Sequence, residues 1–334
     1  MIRVSSKVLA LGAGIAAAGV TAVGAVTYGT TGYLMKIAMD RKLPSIPYMD
    51  RAKKMLSGGM PDVHQLQDMA IAAQKLEATP HTVVMIEAHD GQQLVGHWFP
   101  NKRAKRVIVA MHGWRSGWSS DFGIVADFWN HNECSVLYCE QRGQGNSGGE
   151  YMGFGLIERH DCLSWCHWVN SYVQNQMPLY LVGVSMGATT VLMASDLDLP
   201  QNVCGIIADC GFTSPKDIWK YVAEHNLHLS YRIYGNAADR FCRRKLQVDS
   251  GSCNTMKCLK NAKAPVLLIH GTEDRFVPVE MTYQNYRACT SPKQLLIVPG
   301  AGHGMSYFVE QNRYQQAVKS FFIACEDTKK EILP

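Results

Sequence analysis

Charge is scarce in this sequence: Asp, Glu, Lys and Arg make up 18% of its 334 residues and leave a formal net charge of +5. The basic residues are scattered, apart from Arg240, Arg243, Arg244 and Lys245 and a group between Lys36 and Lys54. That pattern offers no footing for nucleic-acid recognition. Also missing is any C-x-x-C pair among the eleven cysteines, which removes the usual zinc-ribbon and redox motifs. Cys162 and Cys166 stand four apart, on one helical face, but a two-ligand metal site there lacks partners. An odd number of thiols fits a reducing compartment, with most of them small buried residues. Internal repeats are absent, and the 47% hydrophobic content is ample for one large core or two small ones.

One absence is local. From Val8 to Met35 there is no charged residue, a run of 28, with Arg3 and Lys7 before it. That is longer than the roughly 20 residues a helix needs to span a bilayer, although Ala and Gly outweigh Leu in it. The expectation is an uncleaved single-pass membrane anchor over residues 1–35. A signal peptide cleaved near Ala22-Val23-Gly24, with secretion, is the competing reading. Lys36, Arg41, Lys42, Arg51, Lys53 and Lys54 follow the run, which would keep the large domain cytoplasmic. Residues 36–78, polar and mixed, with Pro44, Pro47 and Pro61 and a helical pattern near Val63 to Leu76, read as a juxtamembrane connector.

Beyond residue 78 the pattern changes. Thr82–Glu87 and Gln93–Phe99 are strand-like runs around Asp90-Gly91, the signature of a hairpin. Six continuous apolar runs follow, at Arg106–Met111, Ser135–Cys139, Leu179–Val184, Gly205–Ala208, Pro265–Ile269 and Gln294–Val298. Strands buried on both faces read this way. Helical candidates lie between them at Asp121–Asn130, Ile157–Asn170, Ala188–Ala194 and Val279–Arg287, and after them at Asn312–Ala324. The alternation predicts a mostly parallel sheet with helices on both faces. Between Asp209 and Lys263 more than fifty residues carry helical patterning and no strand. Inserted after a sheet strand, residues of about 213–262 would cap the ligand-binding ends of the strands.

The run LVGVSMGA places Ser185 between two glycines, directly after one of these strands and before a helix. A serine on such an elbow is a nucleophile if a base, an acid and oxyanion donors can reach it. The loop after the last strand, PGAGHG, offers His303 as base. The loop after the strand PVLLI offers Asp274 as acid, with Glu273 and Asp209 as competitors. The order Ser, acid, His is that of the nucleophile-elbow fold. Oxyanion donors are expected at the backbone N–H groups of Met186 and of Trp114, in the loop after the first central strand. His112 is expected to brace that loop rather than carry a proton.

HGW at 112–114, YCEQRGQGNSGG at 138–149, GVSMG at 183–187, ADCGF at 208–212, HGTEDRFVP at 270–278 and GAGHG at 300–304 occur in this order. Together they resemble the landmarks of the α/β-hydrolase superfamily over residues of about 80–325. Within it the chain is most similar to bacterial serine-aminopeptidase-like and prolyl-oligopeptidase-like hydrolases, some with a short N-terminal anchor. The resemblance implies an eight-stranded sheet over residues 79–328, hydrolysis through an acyl-enzyme, and no cofactor. It leaves the acyl substrate open among esters, thioesters, amides and peptides. An esterase with a small or medium acyl substrate is the most economical reading, and an anchor would suit a lipophilic one. The missing propeller domain argues against a large-peptidase function.

Two readings of other classes compete. Gly143-x-Gly145-x-x-Gly148 follows a predicted strand, as a dinucleotide fingerprint should, but the loop continues through Gly155 instead of opening a helix. A bland Gly-rich loop braced by Arg142 is preferred. A non-catalytic binding protein on the same fold would usually lack a triad member, whereas all three residues are present here.

Overall fold

Asp90 and Gly91 close a hairpin between β1 (Thr82–Glu87) and β2 (Gln93–Phe99), with Gly91 at φ 81°. That backbone angle is one a side chain rarely adopts. A computed structural model of the chain describes residues 24–43, 63–174 and 177–332. The other strands are β3 (Arg106–Met111), β4 (Cys134–Cys139), β5 (Leu179–Val184), β6 (Val203–Asp209), β7 (Val266–Gly271) and β8 (Lys293–Val298). They form one sheet in the order β1-β2-β4-β3-β5-β6-β7-β8. Only β2 runs against its neighbours; from β4 to β8 every pairing is parallel. The expected eight-stranded α/β-hydrolase architecture is therefore present.

Burial explains the continuous apolar runs. Every residue of β4, β6 and β7 is buried, because helices cover both faces. On one face Phe122, Phe128 and Trp129 of the helix Trp118–His131 and Val318, Phe321 and Phe322 of the helix Gln311–Ile332 pack against Ile108, Tyr180 and Ile207. On the other, Cys162, Trp165 and Cys166 of the helix Glu158–Val173 and Val191 of the helix Met186–Ala194 pack against Val109, Leu181 and Leu268. The predicted helix Val63–Leu76 is found at Val63–Ala78, against the helix Trp118–His131.

The segment between β6 and β7 is strandless, as expected. It consists of helices Pro215–Tyr221, Tyr231–Leu246 and Thr255–Asn261 and a π-helical turn, Val222–Asn226. Ser214 and Asn254 cap the first and last of these helices by accepting from Asp217 N and Lys257 N.

Most of the N-terminal segment expected to form an anchor and connector lies outside what the structure describes. Residues 8–23 of the uncharged run and residues 44–62 of the connector lie outside the described residues. Among the described residues no helix is long and apolar enough to cross a membrane. Residues 24–39 are helical, and this helix packs onto the sheet domain. Met35 and Met39 are buried with Phe154, Met186, Trp219 and Tyr231, and Tyr28 packs on Phe241 with ring centroids 4.7 Å apart.

The Gly143–Gly148 loop is not a phosphate cradle opening a helix. Its residues continue as an irregular segment to the helix Glu158–Val173. Arg142 braces it as expected: buried, it donates through Nε to Asp161 Oδ2 at 2.6 Å and through Nη1 to Asp90 Oδ2 at 2.6 Å. Asp161 is itself 1% exposed, so removing Arg142 strands a buried charge. Arg142→Met is expected to cost about 3–5 kcal/mol, seen as a lower urea midpoint; an unchanged midpoint would show that the pair contributes nothing.

Candidate active site

The elbow begins with two close approaches. A Cβ on Gly187 would overlap the carbonyl of Met111 at the end of β3, and one on Gly183 would overlap the backbone of Gly187. Small residues at both places let the helix Met186–Ala194 start hard against the sheet. Ser185 is then held at φ 55°, ψ −115°, a conformation costly for a residue with a side chain. Its N–H donates to Asp209 O at 2.8 Å, which anchors the turn to β6. Ser185 is 6% exposed and sits at the N-terminal end of that helix, where the helix dipole favours negative charge.

His303 reaches it from the loop after β8. Its Nε2 lies 2.9 Å from Ser185 Oγ and its Nδ1 lies 2.6 Å from Asp274 Oδ2. Asp274, in the loop after β7, is fixed by N–H groups of Phe276 at 2.9 Å and Val277 at 2.8 Å on its other oxygen. His270 Nε2 adds a contact at 3.1 Å to Oδ2. Burial works against the Asp274 carboxylate, but the charge of His303 and the hydrogen bonds from His270 and His303 outweigh it and hold the group well below the usual range. For His303 burial lowers the basicity, and the adjacent Asp274 carboxylate more than reverses this, raising the imidazole above its ordinary value.

The competitors for the acid are placed elsewhere. Glu273 is exposed and faces Arg275 at 3.9 Å. Asp209 accepts from Ser306 Oγ at 3.0 Å, and burial pushes its carboxyl up to about 6. His112 acts as a brace. It is buried, its Nδ1 meets Gly113 O at 2.8 Å, and its Nε2 accepts from Gln141 N at 3.1 Å. Burial lowers its basicity, consistent with a neutral ring in both contacts.

The loop after β3 runs across the serine. A Cβ on Gly113 would lie 3.3 Å from that of Ser185, and the Gly113 N–H donates to Asp121 Oδ2 at 2.6 Å. Neither the Trp114 N–H nor the Met186 N–H makes a hydrogen bond to a described residue, so both donors are unspent. Aromatic rings cluster beside the site. Trp114 lies 6.2 Å from Phe276 and 6.3 Å from Phe154, Phe154 stands edge-on to Trp219 at 5.4 Å, and Phe276 meets His303 at 5.1 Å.

Four contributors escaped the sequence reading. Asp121 holds the Gly113 turn, and His270 holds Asp274. Trp114 Nε1 donates to Ala38 O at 2.7 Å, and Arg115 Nη2 donates to Ile37 O at 2.7 Å and Asp40 O at 2.6 Å. The C-terminal end of helix 24–39 is thereby tied to the loop beside the serine. The fourth is Cys210, buried directly after β6, whose thiol lies in one cluster with Asp274 and His303.

The sheet, the elbow and the cap are those of an α/β-hydrolase-fold serine hydrolase. A model of the prolyl oligopeptidase family matches residues 120–328, and the chain belongs to that family. Uncharacterized protein YqkD of Bacillus subtilis is 24% identical over 263 residues, which are 76% of this chain and 83% of that one. Among solved structures, an esterase of Pyrococcus furiosus superposes with a TM-score of 0.61 at 21% identity, covering 75% of this chain and 95% of that one. The acylaminoacyl peptidase of Pyrococcus horikoshii superposes with a TM-score of 0.54 at 19% identity, over 76% of this chain and 43% of that longer one. At these identities the two structures speak for the fold.

The Asp274–His303 pair sets a titration that can be read by NMR. The His303 ring is expected to lose its proton above the roughly 6.5 of a free imidazole, and Asp274→Asn should bring that midpoint down. A His303 midpoint unmoved by Asp274→Asn would mean that the carboxylate does not control the ring.

Proposed function

We propose that this enzyme hydrolyses carboxylic esters of small lipophilic acyl groups through an acyl-enzyme on Ser185. The supporting observation is the unbroken line from Ser185 Oγ through both nitrogens of His303 to Asp274. With Asp274 accepting from Nδ1–H, the Nε2 lone pair faces the serine hydroxyl and takes its proton as Oγ attacks the acyl carbonyl. The N–H groups of Met186 and Trp114 meet the oxyanion, helped by the dipole of the helix that starts at Met186. Nε2–H then protonates the leaving alcohol, the ester C–O bond breaks, and water repeats the two steps to release the acid.

The acyl group would lie against Trp114, Phe154, Trp219 and Phe276, an apolar wall suited to an aliphatic chain. Family membership supports an alternative, cleavage of amides or peptides, which the same machinery performs with an amine leaving group.

A fluorophosphonate probe should label the wild type and not Ser185→Ala. On p-nitrophenyl esters of graded length, Asp274→Asn should lower kcat by about 10⁴-fold, whereas Asp209→Asn should keep most of the activity. Labelling that survives Ser185→Ala would overturn the nucleophile. Faster cleavage of aminoacyl anilides than of any ester would move the reading to the peptidase.

A further inference from the structure

Ten of the eleven thiols are buried; the exception is Cys253. It lies in the cap, just ahead of the helix Thr255–Asn261, and Cys258 sits one turn into that helix. Their sulfurs are 3.2 Å apart. On the other side Arg159 Nη1 donates to Cys253 Sγ at 3.3 Å, while Arg159 Nε is buried with no partner among the described residues. We infer that Cys253 and Cys258 form a modifiable dithiol, in which Cys253 is the entry thiol for a small anionic disulfide and Cys258 displaces it to leave an internal disulfide.

Three features separate this pair from the other thiols. Cys253 is only partly buried, whereas Cys162 and Cys166, the other close pair, are both fully buried against the sheet. The hydrogen bond from Cys258 stabilises a Cys253 thiolate and the Arg159 charge adds to it, outweighing burial, so this thiol lies below its usual range. Burial instead pushes Cys134 and Cys210 up to about 11 and Cys242 up to about 12. Finally, the sulfurs need to close from 3.2 Å to the roughly 2.0 Å of a disulfide, a short movement for a loop residue one turn from its partner. Arg159 and Lys257 lie beside Cys253 together with Asp196, which pairs with Arg159 Nη1 at 3.5 Å; the two cations and one carboxylate leave a net positive charge that favours a disulfide carrying carboxylates, such as oxidised glutathione.

The exchange balances in two displacements. The Cys253 thiolate attacks one sulfur of R–S–S–R; that bond breaks, a Cys253–S–S–R bond forms, and R–S⁻ leaves to take up a proton. Cys258, itself buried, gives its proton to the Asp196 carboxylate beside it and attacks the Cys253 sulfur, expelling the second R–S⁻. The protein loses two protons and two electrons, which convert the small disulfide to two R–SH. Catalysis by Ser185 plays no part in this chemistry, so its test is independent of the proposed hydrolase activity.

The folded full-length chain is treated with oxidised glutathione and mapped by peptide mass spectrometry. The wild type should lose two hydrogens and show a Cys253–Cys258 cross-link with no stable adduct. Cys258→Ser should retain one glutathione on Cys253, and Cys253→Ser should leave Cys258 unmodified. A brief iodoacetamide pulse on the wild type guards against misfolded variants: Cys253 should alkylate about tenfold faster than any other cysteine. Equal alkylation of several cysteines, adducts away from Cys253, or modification of Cys258 in Cys253→Ser would overturn the assignment.

Discussion

Everything at the catalytic end of this molecule depends on how closely the helix Met186–Ala194 approaches the end of β3. Glycine at 187 is what permits the contact with the Met111 carbonyl, and glycine at 183 permits the return of the chain over its own strand. With that crossing fixed, Ser185 is held at a positive φ with its Oγ within reach of His303. The strain is offset by the surrounding packing, since all nine residues of the helix are buried. The same crossing brings the loop after β3 alongside the serine, so the two expected oxyanion donors are set by the backbone and not by side-chain choice.

The remaining groups converge because of the parallel sheet. Asp274 follows β7, His303 follows β8, and Asp209 ends β6, so three loops open at one edge of neighbouring strands. Position alone does not choose between Asp209 and Asp274. The choice comes from hydrogen bonding: Asp274 presents an oxygen to His303 while two backbone N–H groups hold the other, whereas Asp209 is turned to Ser306.

Much of this was legible in the sequence because it follows from local patterns. Strands buried on both faces read as unbroken apolar runs, and each site residue sits just beyond one of them. Strand boundaries moved by a residue or two, as at Val203–Asp209, where the sequence pattern marks only Gly205–Ala208. The docking of residues 24–39 was not legible. Its contacts join Trp114 and Arg115 to backbone carbonyls more than seventy residues earlier, and a carbonyl leaves no mark in the sequence. The uncharged run reads as a membrane span by composition, and nothing in that composition tells that Met35 at its end, with Met39 beyond it, packs among residues of the cap and beside the elbow. The same holds for Cys253 and Cys258, whose five-residue spacing matches no known motif and acquires meaning only from Arg159 and from exposure.

The central claim is that Ser185 carries the acyl group. Rapid mixing with p-nitrophenyl acetate, followed by acid quench and peptide mapping, tests it most directly. The account predicts a burst of p-nitrophenol and a single acetyl group on the peptide containing Ser185, both lost in Ser185→Ala. Turnover without a burst in which no acetyl group is found on that peptide, or an acetyl group found on another residue instead, would contradict it.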